Sequence, residues 1–231
     1  MSGKIELTIP ENWKEVTREQ LGIIAAVMDM KLTREETLMV MFCRFTGLKS
    51  EGNRVFVTQD GKRIIMKAWQ MADFCGRLSF ILDELPCDIV NPTGVNSYLD
   101  DITFGKYFHA DALMYAYRKS DNPKLVRQAL NDLGERGWWM SKQHANEVVM
   151  WWSGVQQWLK EQYPLVFEGN GEEEEYDPLK ARENIMLMLN DNKPQDNQDI
   201  EDSNMHDVLA ALQHKIEQAK RLDEKLKSSK P

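Results

Sequence analysis

A chain of 231 residues with 37 Asp and Glu against 29 Lys and Arg, net charge -8, lacks the cationic excess that general nucleic-acid binders and proteins of anionic membrane surfaces use. Its three cysteines, Cys43, Cys75 and Cys87, are odd in number and without CxxC spacing, so a reduced cytoplasmic setting is expected and a disulfide framework is not. No window approaches eighteen consecutive apolar residues, and MSGKIELTIPEN at the start has no apolar signal core, so neither a membrane span nor secretion is expected.

Ile5 to Ile9 alternates apolar and polar residues and predicts a short edge strand ended by Pro10. Thr17 to Gly47 predicts two short helices in tandem. Thr17 with Gln20 and Thr33 with Glu36 are capping boxes, in which each side chain satisfies a free N–H of the other's backbone. Trp13 and Val16 sit just outside the first cap, and Gly47 supplies the C-terminal stop. Asp60-Gly61 then predicts a hairpin over 54–66, because both turn positions tolerate positive φ. A two-residue loop pairs Gln59 with Lys62, Val57 with Ile64, Phe56 with Ile65 and Val55 with Met66. One face then carries Val55, Val57, Ile64 and Met66, the other Phe56 and Ile65. A hairpin apolar on both faces requires cover from helices or from a partner.

Ala68 to Leu85 predicts one helix with a broad stripe from Trp69 to Leu82, stopped by Pro86. A loop region follows to Asp101, then a packed turn at Thr103–Tyr107 feeding a helix from about His109 to Tyr117. Asn122-Pro123 caps the next helix. Ser141 opens the most apolar helix, with Val148, Trp151, Trp152 and Leu159 on a wide stripe ended at Pro164. Beyond it the composition changes. Residues 169–202 hold 11 acids against 3 bases, a local balance equal to the whole net charge. Asp177-Pro178 caps a short helix there, and Asn190 to Asp202 has the polar composition of a disordered connector. Ser203 to Lys227 predicts an amphipathic helix whose apolar residues, Met205, Leu209, Leu212, Ile216, Ala219, Leu222 and Leu226, recur at spacings of three and four.

The expected architecture is therefore mainly α: a helical body over 1–168 with one β-hairpin at 54–66, an acidic and polar linker over 169–202 with a short helix at 178–189, and a tethered amphipathic helix over 203–231. No site chemistry is legible. His109, His144, His206 and His214 lack metal-ligand spacing with one another or with cysteine. Cys43 and Cys75 follow phenylalanines inside helices, as small core residues do. There is no nucleophile elbow and no phosphate loop. Trp138-Trp139 and Trp151-Trp152 lack the interleaved cations of a nucleic-acid stacking platform. The expectation is no catalytic residue, no metal and no cofactor. Partner binding is expected on the helix seam of Leu209, Leu212, Ile216, Leu222 and Leu226, and on the hairpin residues Val55, Val57, Ile64 and Met66. Folding back of the helix, self-association into a homo-oligomer and docking on another protein all remain open at this level.

The order of motifs resembles a group of phage and prophage proteins of the tail-assembly-chaperone type, encoded in structural gene clusters. The likeness rests on Ile9, Pro10, Trp13, Val16, Thr17, Glu19, Gln20 and Leu21, then on Phe45-Thr-Gly-Leu48. It continues through the hairpin, the Trp69–Leu82 stretch, Phe104-Gly-Lys-Tyr107, Tyr163-Pro164 and Val208–Leu212. The resemblance implies a non-enzymatic protein of the bacterial host cytoplasm that binds the tape-measure protein and tail-tube subunits during virion assembly. A permanent virion subunit, as in tail completion or a connector, and a small regulatory binding module are the alternatives.

Overall fold

The structure is a computed structural model that describes residues 7–51, 54–59, 62–137, 139–167, 176–190 and 197–228. The Asp60-Gly61 turn, Trp138 and the run Glu172–Glu175 lie outside these residues. Among the described residues the chain is mainly α, with eleven α-helices and one three-stranded antiparallel sheet. It divides into two compact units, one within residues 1–92 together with 146–154, the other within 93–145 together with 155–231. The single body expected over 1–168 is thus two units, and the second takes in the C-terminal helix.

The first unit begins at a 3-10 turn, Trp13–Glu15, capped by Asn12, whose Oδ1 accepts from the Lys14 N–H at 3.0 Å. Helices α1 (Arg18–Met28) and α2 (Arg34–Thr46) follow as expected. In the first capping box the Gln20 N–H donates to Thr17 Oγ1 at 3.2 Å and the Thr17 N–H to Gln20 Oε1 at 2.9 Å. The Thr33–Glu36 box repeats this at 3.3 and 2.9 Å. Gly47 ends α2 at φ +68°, the left-handed geometry glycine adopts without a Cβ penalty. Ile9, Trp13, Val16, Leu21, Ile24, Met41 and Phe42 are all buried. The Trp13 ring meets Phe80 edge to face, centroids 5.5 Å apart.

The sheet has the order β1 (Lys49–Glu51), β2 (Arg54–Gln59), β3 (Lys62–Ile65). The β2–β3 register is the expected one, Phe56 with Ile65, Val57 with Ile64 and Gln59 with Lys62. The Met66 N–H extends it by donating to the Val55 carbonyl at 2.9 Å. Strand β1 has no apolar alternation and was not expected; it pairs Lys49–Glu51 with Phe56–Arg54. The edge strand expected over Ile5–Ile9 begins outside the described residues, and its described part, Leu7 to Ile9, is not a strand. The single helix expected over 68–85 is two, α3 (Ala68–Arg77) and α4 (Phe80–Asp83). The break falls at Leu78-Ser79, just after Gly76, a poor helix former. Leu78, Phe80 and Ile81 then bury, whereas Trp69 at the start of α3 is 66% exposed.

Helix α5 (Phe104–Ser120) is the centre of the second unit, burying Phe104, Tyr107, Phe108, Ala110, Met114 and Tyr117. It begins five residues earlier than the sequence predicts, so Phe104-Gly-Lys-Tyr107 is its first turn rather than a feeding turn. Helix α6 (Pro123–Asp132) returns along α5 after Asp121 and the Asn122 cap. Helix α7 (Lys142–Gln162) opens at Ser141, whose Oγ accepts from the His144 N–H at 3.1 Å. Its middle, Asn146–Gly154, belongs to the first unit. There it buries Val148, Trp151 and Trp152, and Glu147 pairs with Arg18 at 2.8 Å.

Helices α8 (Pro164–Phe167), α9 (Pro178–Leu189), α10 (Asn197–Asp202) and α11 (Met205–Ser228) complete the second unit. The polar connector expected to be disordered contains α10, which packs on α5. Its Glu201 carbonyl lies 3.3 Å from where a Cβ on Gly105 would stand, so the glycine of Phe104-Gly-Lys-Tyr107 admits this approach. The Phe104 N–H donates to the Ser203 carbonyl at 2.9 Å and the Met205 N–H to the Ile102 carbonyl at 3.0 Å. The first half of α11 is therefore no free arm: Met205, Val208, Leu209 and Leu212 are buried in the unit's core. An amphipathic helix gains more from burying its seam at hand than from holding it in water.

Trp13→Ala is expected to destabilise the chain by about 3–5 kcal/mol through lost transfer energy and a residual cavity. Trp69→Ala, on an exposed face, is expected to shift stability by less than about 0.5 kcal/mol. Urea unfolding followed by circular dichroism checks both.

Candidate protein-binding surfaces

Among the described residues no group of three or more His, Cys, Asp and Glu stands close enough to hold a metal ion. The Cys43 thiol is pushed up by burial and, secondarily, by Cys75; burial alone raises Cys75. Both then carry less thiolate than a free cysteine, the opposite of what a nucleophile needs. His206 is committed to structure. Its Nε2 stands 2.7 Å from the Tyr98 carbonyl, which only an N–H can satisfy. In the neutral ring Nδ1 then accepts from the Tyr163 hydroxyl at 2.9 Å. These bonds fasten the first turn of α11 to the 93–103 loop and to the end of α7.

The polar centre of the second unit is Asp111, buried on α5. Gln156 Nε2 donates to one carboxylate oxygen at 2.5 Å and the Tyr176 hydroxyl to the other at 2.7 Å. Burial, then the Asp111 charge, then this hydrogen bond hold the Tyr176 phenol protonated far above its ordinary range. Tyr107, wholly buried, is likewise raised by burial first and by Asp111 second. A carboxylate with both oxygens engaged and phenols locked in the neutral form serves as an anchor. It ties α5, α7 and the entrance of α9 together.

The expected partner-binding residues fall into two groups. On α11, Leu209 and Leu212 are core residues and Ile216 is half-buried. Leu212 and Ile216 line a groove of about 520 Å³ that also takes in Phe108, Ile185, Lys160 and Lys220. Leu222 and Leu226 are 61% and 63% exposed. From Gln218 to Lys227 every residue of the helix is exposed, about three turns of helix beyond the core. One seam thus runs from core to solvent along a single helix.

On the hairpin, Val55 is buried and is no docking residue. The side chain of Val57 lies outside the described residues. Met66 is half-buried, and Ile64 is 42% exposed. Phe56 is buried beneath the Arg63 guanidinium, 4.5 Å above its ring, and Arg63 pairs with Glu51 at 2.7 Å. Sequence reasoning missed Ile65, 53% exposed, and Trp69 as surface residues. The available signal was charge: Lys62, Arg63 and Lys67 bracket the two isoleucines, as bases commonly do on an edge strand.

No helix among the described residues is long and apolar enough to cross a membrane. Compared with known proteins, the chain matches no family model, no curated protein and no solved structure.

The raised phenols set the sign of the alkaline response. Above pH about 10 the unfolded tyrosines lose protons that folded Tyr107 retains, so stability falls as pH rises, by at most about 1.4 kcal/mol per pH unit for each such group. Tyr107→Phe is expected to flatten the slope of unfolding free energy between about pH 10 and 11. An unchanged slope would show that Tyr107 is not held neutral.

Proposed function

We propose that this chain is a non-enzymatic assembly chaperone of the phage tail type, binding the tape-measure protein or tail-tube subunits in the bacterial host cytoplasm. The observation that carries the reading is the exposed end of α11. Leu222 and Leu226 continue an apolar seam whose first members are locked in the core. A rigid helix that presents leucines to water and is anchored at its other end fits the helix-on-helix mode of partner recognition. The motif resemblance supplies the phage context. The densest part of that resemblance, Ile9 to Leu21, consists largely of core and cap residues, so it speaks for the scaffold rather than for the docking surface.

Co-expression with a phage tape-measure protein, followed by affinity capture, tests the reading. Leu222→Asp with Leu226→Asp is expected to reduce capture by about tenfold or more, the loss of a few kcal/mol of buried leucine, while leaving the melting temperature unchanged. Leu212→Asp is expected to unfold the second unit instead. Mass spectrometry of purified particles separates the alternatives: a chaperone is missing from them, and a stoichiometric copy would make the chain a virion subunit.

A further inference from the structure

We infer that the outer edge of β3 is a docking site for an extended, acidic segment of another protein, which adds to the sheet as a fourth strand. The inference rests on the reading of this chain as a protein-binding factor but concerns a surface separate from α11. Three observations carry it.

The first is backbone. Among the described residues, strand β3 has a neighbour on one side alone, β2. The Met66 N–H bonds to the Val55 carbonyl, and Ile64 and Lys62, opposite Val57 and Gln59, share its parity. In an antiparallel ladder the alternate residues, Arg63 and Ile65, then turn their N–H and C=O groups away from β2. Those groups are the template that an added strand pairs with.

The second is apolar surface at the same place. Ile64 and Ile65 lie on opposite faces of β3 at 42% and 53% exposure, and Trp69 follows at 66% on the first turn of α3. An added strand would cover an isoleucine on each face, pairing side chain with side chain across the new ladder.

The third is charge, which selects the occupant. Residues 49–67 hold five Lys and Arg against two Asp and Glu, a balance of +3 inside a chain of net charge -8. Arg54, Arg63 and Lys67 are exposed. A second copy of the same strand would bring base against base, so self-pairing is disfavoured. A nucleic acid would need stacking faces among the cations. Here Phe56 is already covered by Arg63, which is itself engaged by Glu51, leaving Trp69 as the one exposed ring among the described residues of 49–69. Unpaired strand backbone, aliphatic side chains and surrounding bases together fit a polypeptide that alternates β-branched and acidic residues.

The test uses the full chain and a fluorescein-labelled peptide alternating Val and Glu. The same peptide with Lys for Glu, and a single-stranded oligothymidylate, serve as comparison probes. Anisotropy is expected to show the acidic peptide binding about tenfold or more tighter than the basic one. Ile65→Pro removes an N–H that the β2–β3 ladder does not use, a substitution edge strands tolerate, and is expected to weaken binding about tenfold with an unchanged circular dichroism spectrum. Ile65→Val keeps the N–H and is expected to bind within about twofold of the parent. Amide exchange at Arg63 and Ile65 is expected to slow in the complex. Undiminished binding by Ile65→Pro, no preference for the acidic peptide, tighter binding of the oligonucleotide, or no binding at all would each overturn the proposal. Loss of tape-measure capture through α11 would leave these readouts unaffected, so the two readings fail separately.

Discussion

Two backbone hydrogen bonds at the entrances of α5 and α11 govern what the C-terminal helix can do. Phe104 N–H to the Ser203 carbonyl and Met205 N–H to the Ile102 carbonyl fix the start of α11 beside the start of α5. His206, held between Tyr98 and Tyr163, sets the rotation of its first turn. With origin and rotation fixed, Leu209 and Leu212 must enter the core and the later seam residues must leave it. A single 24-residue helix thereby serves as packing element at one end and as presented surface at the other.

The same entrance explains Gly105. Helix α10 crosses so close that its Glu201 carbonyl would stand 3.3 Å from any Cβ there. The buried Asp111 anchor acts further along α5, tying in α7 through Gln156 and the start of α9 through Tyr176. Such a network is strong when every member is bonded, since each bond stands in a low dielectric. It also explains why a chain that is acidic overall tolerates a carboxylate in its core.

Local signals in the sequence translated well. Both capping boxes, the Gly47 stop, the Asn122 and Asp177 caps before proline and the β2–β3 register depend on residues a few positions apart, and all stand as read. What could not be read depends on distant partners. Strand β1, sequence KSE, is a strand because β2 offers it an edge. Helix α10, nearly without apolar residues, is held by backbone proximity to α5 and by the Arg182–Glu201 pair. The seam of α11 has one period from end to end, so periodicity cannot say where burial stops. Trp69 shows the reverse: a tryptophan on a helical stripe reads as core, yet the break after α3 turns the buried residues to Leu78, Phe80 and Ile81. Of the candidate surface, Ile64, Leu222 and Leu226 are exposed as required, while Val55, Leu209 and Leu212 belong to the cores.

The proposed role turns on α11, a helix with one buried end and one apolar end in water. Amide hydrogen exchange along this helix, measured on the full chain with and without the tape-measure protein, tests that picture most directly. Free, the amides of Leu209 to Gln213 should exchange slowly and those from Gln218 to Leu226 fast, because only the first half is covered by tertiary packing. With the partner bound, protection should rise from Gln218 to Leu226 and stay level from Leu209 to Gln213. Uniform protection along the free helix, or no gain on its outer half with partner present, would contradict the proposed role of α11.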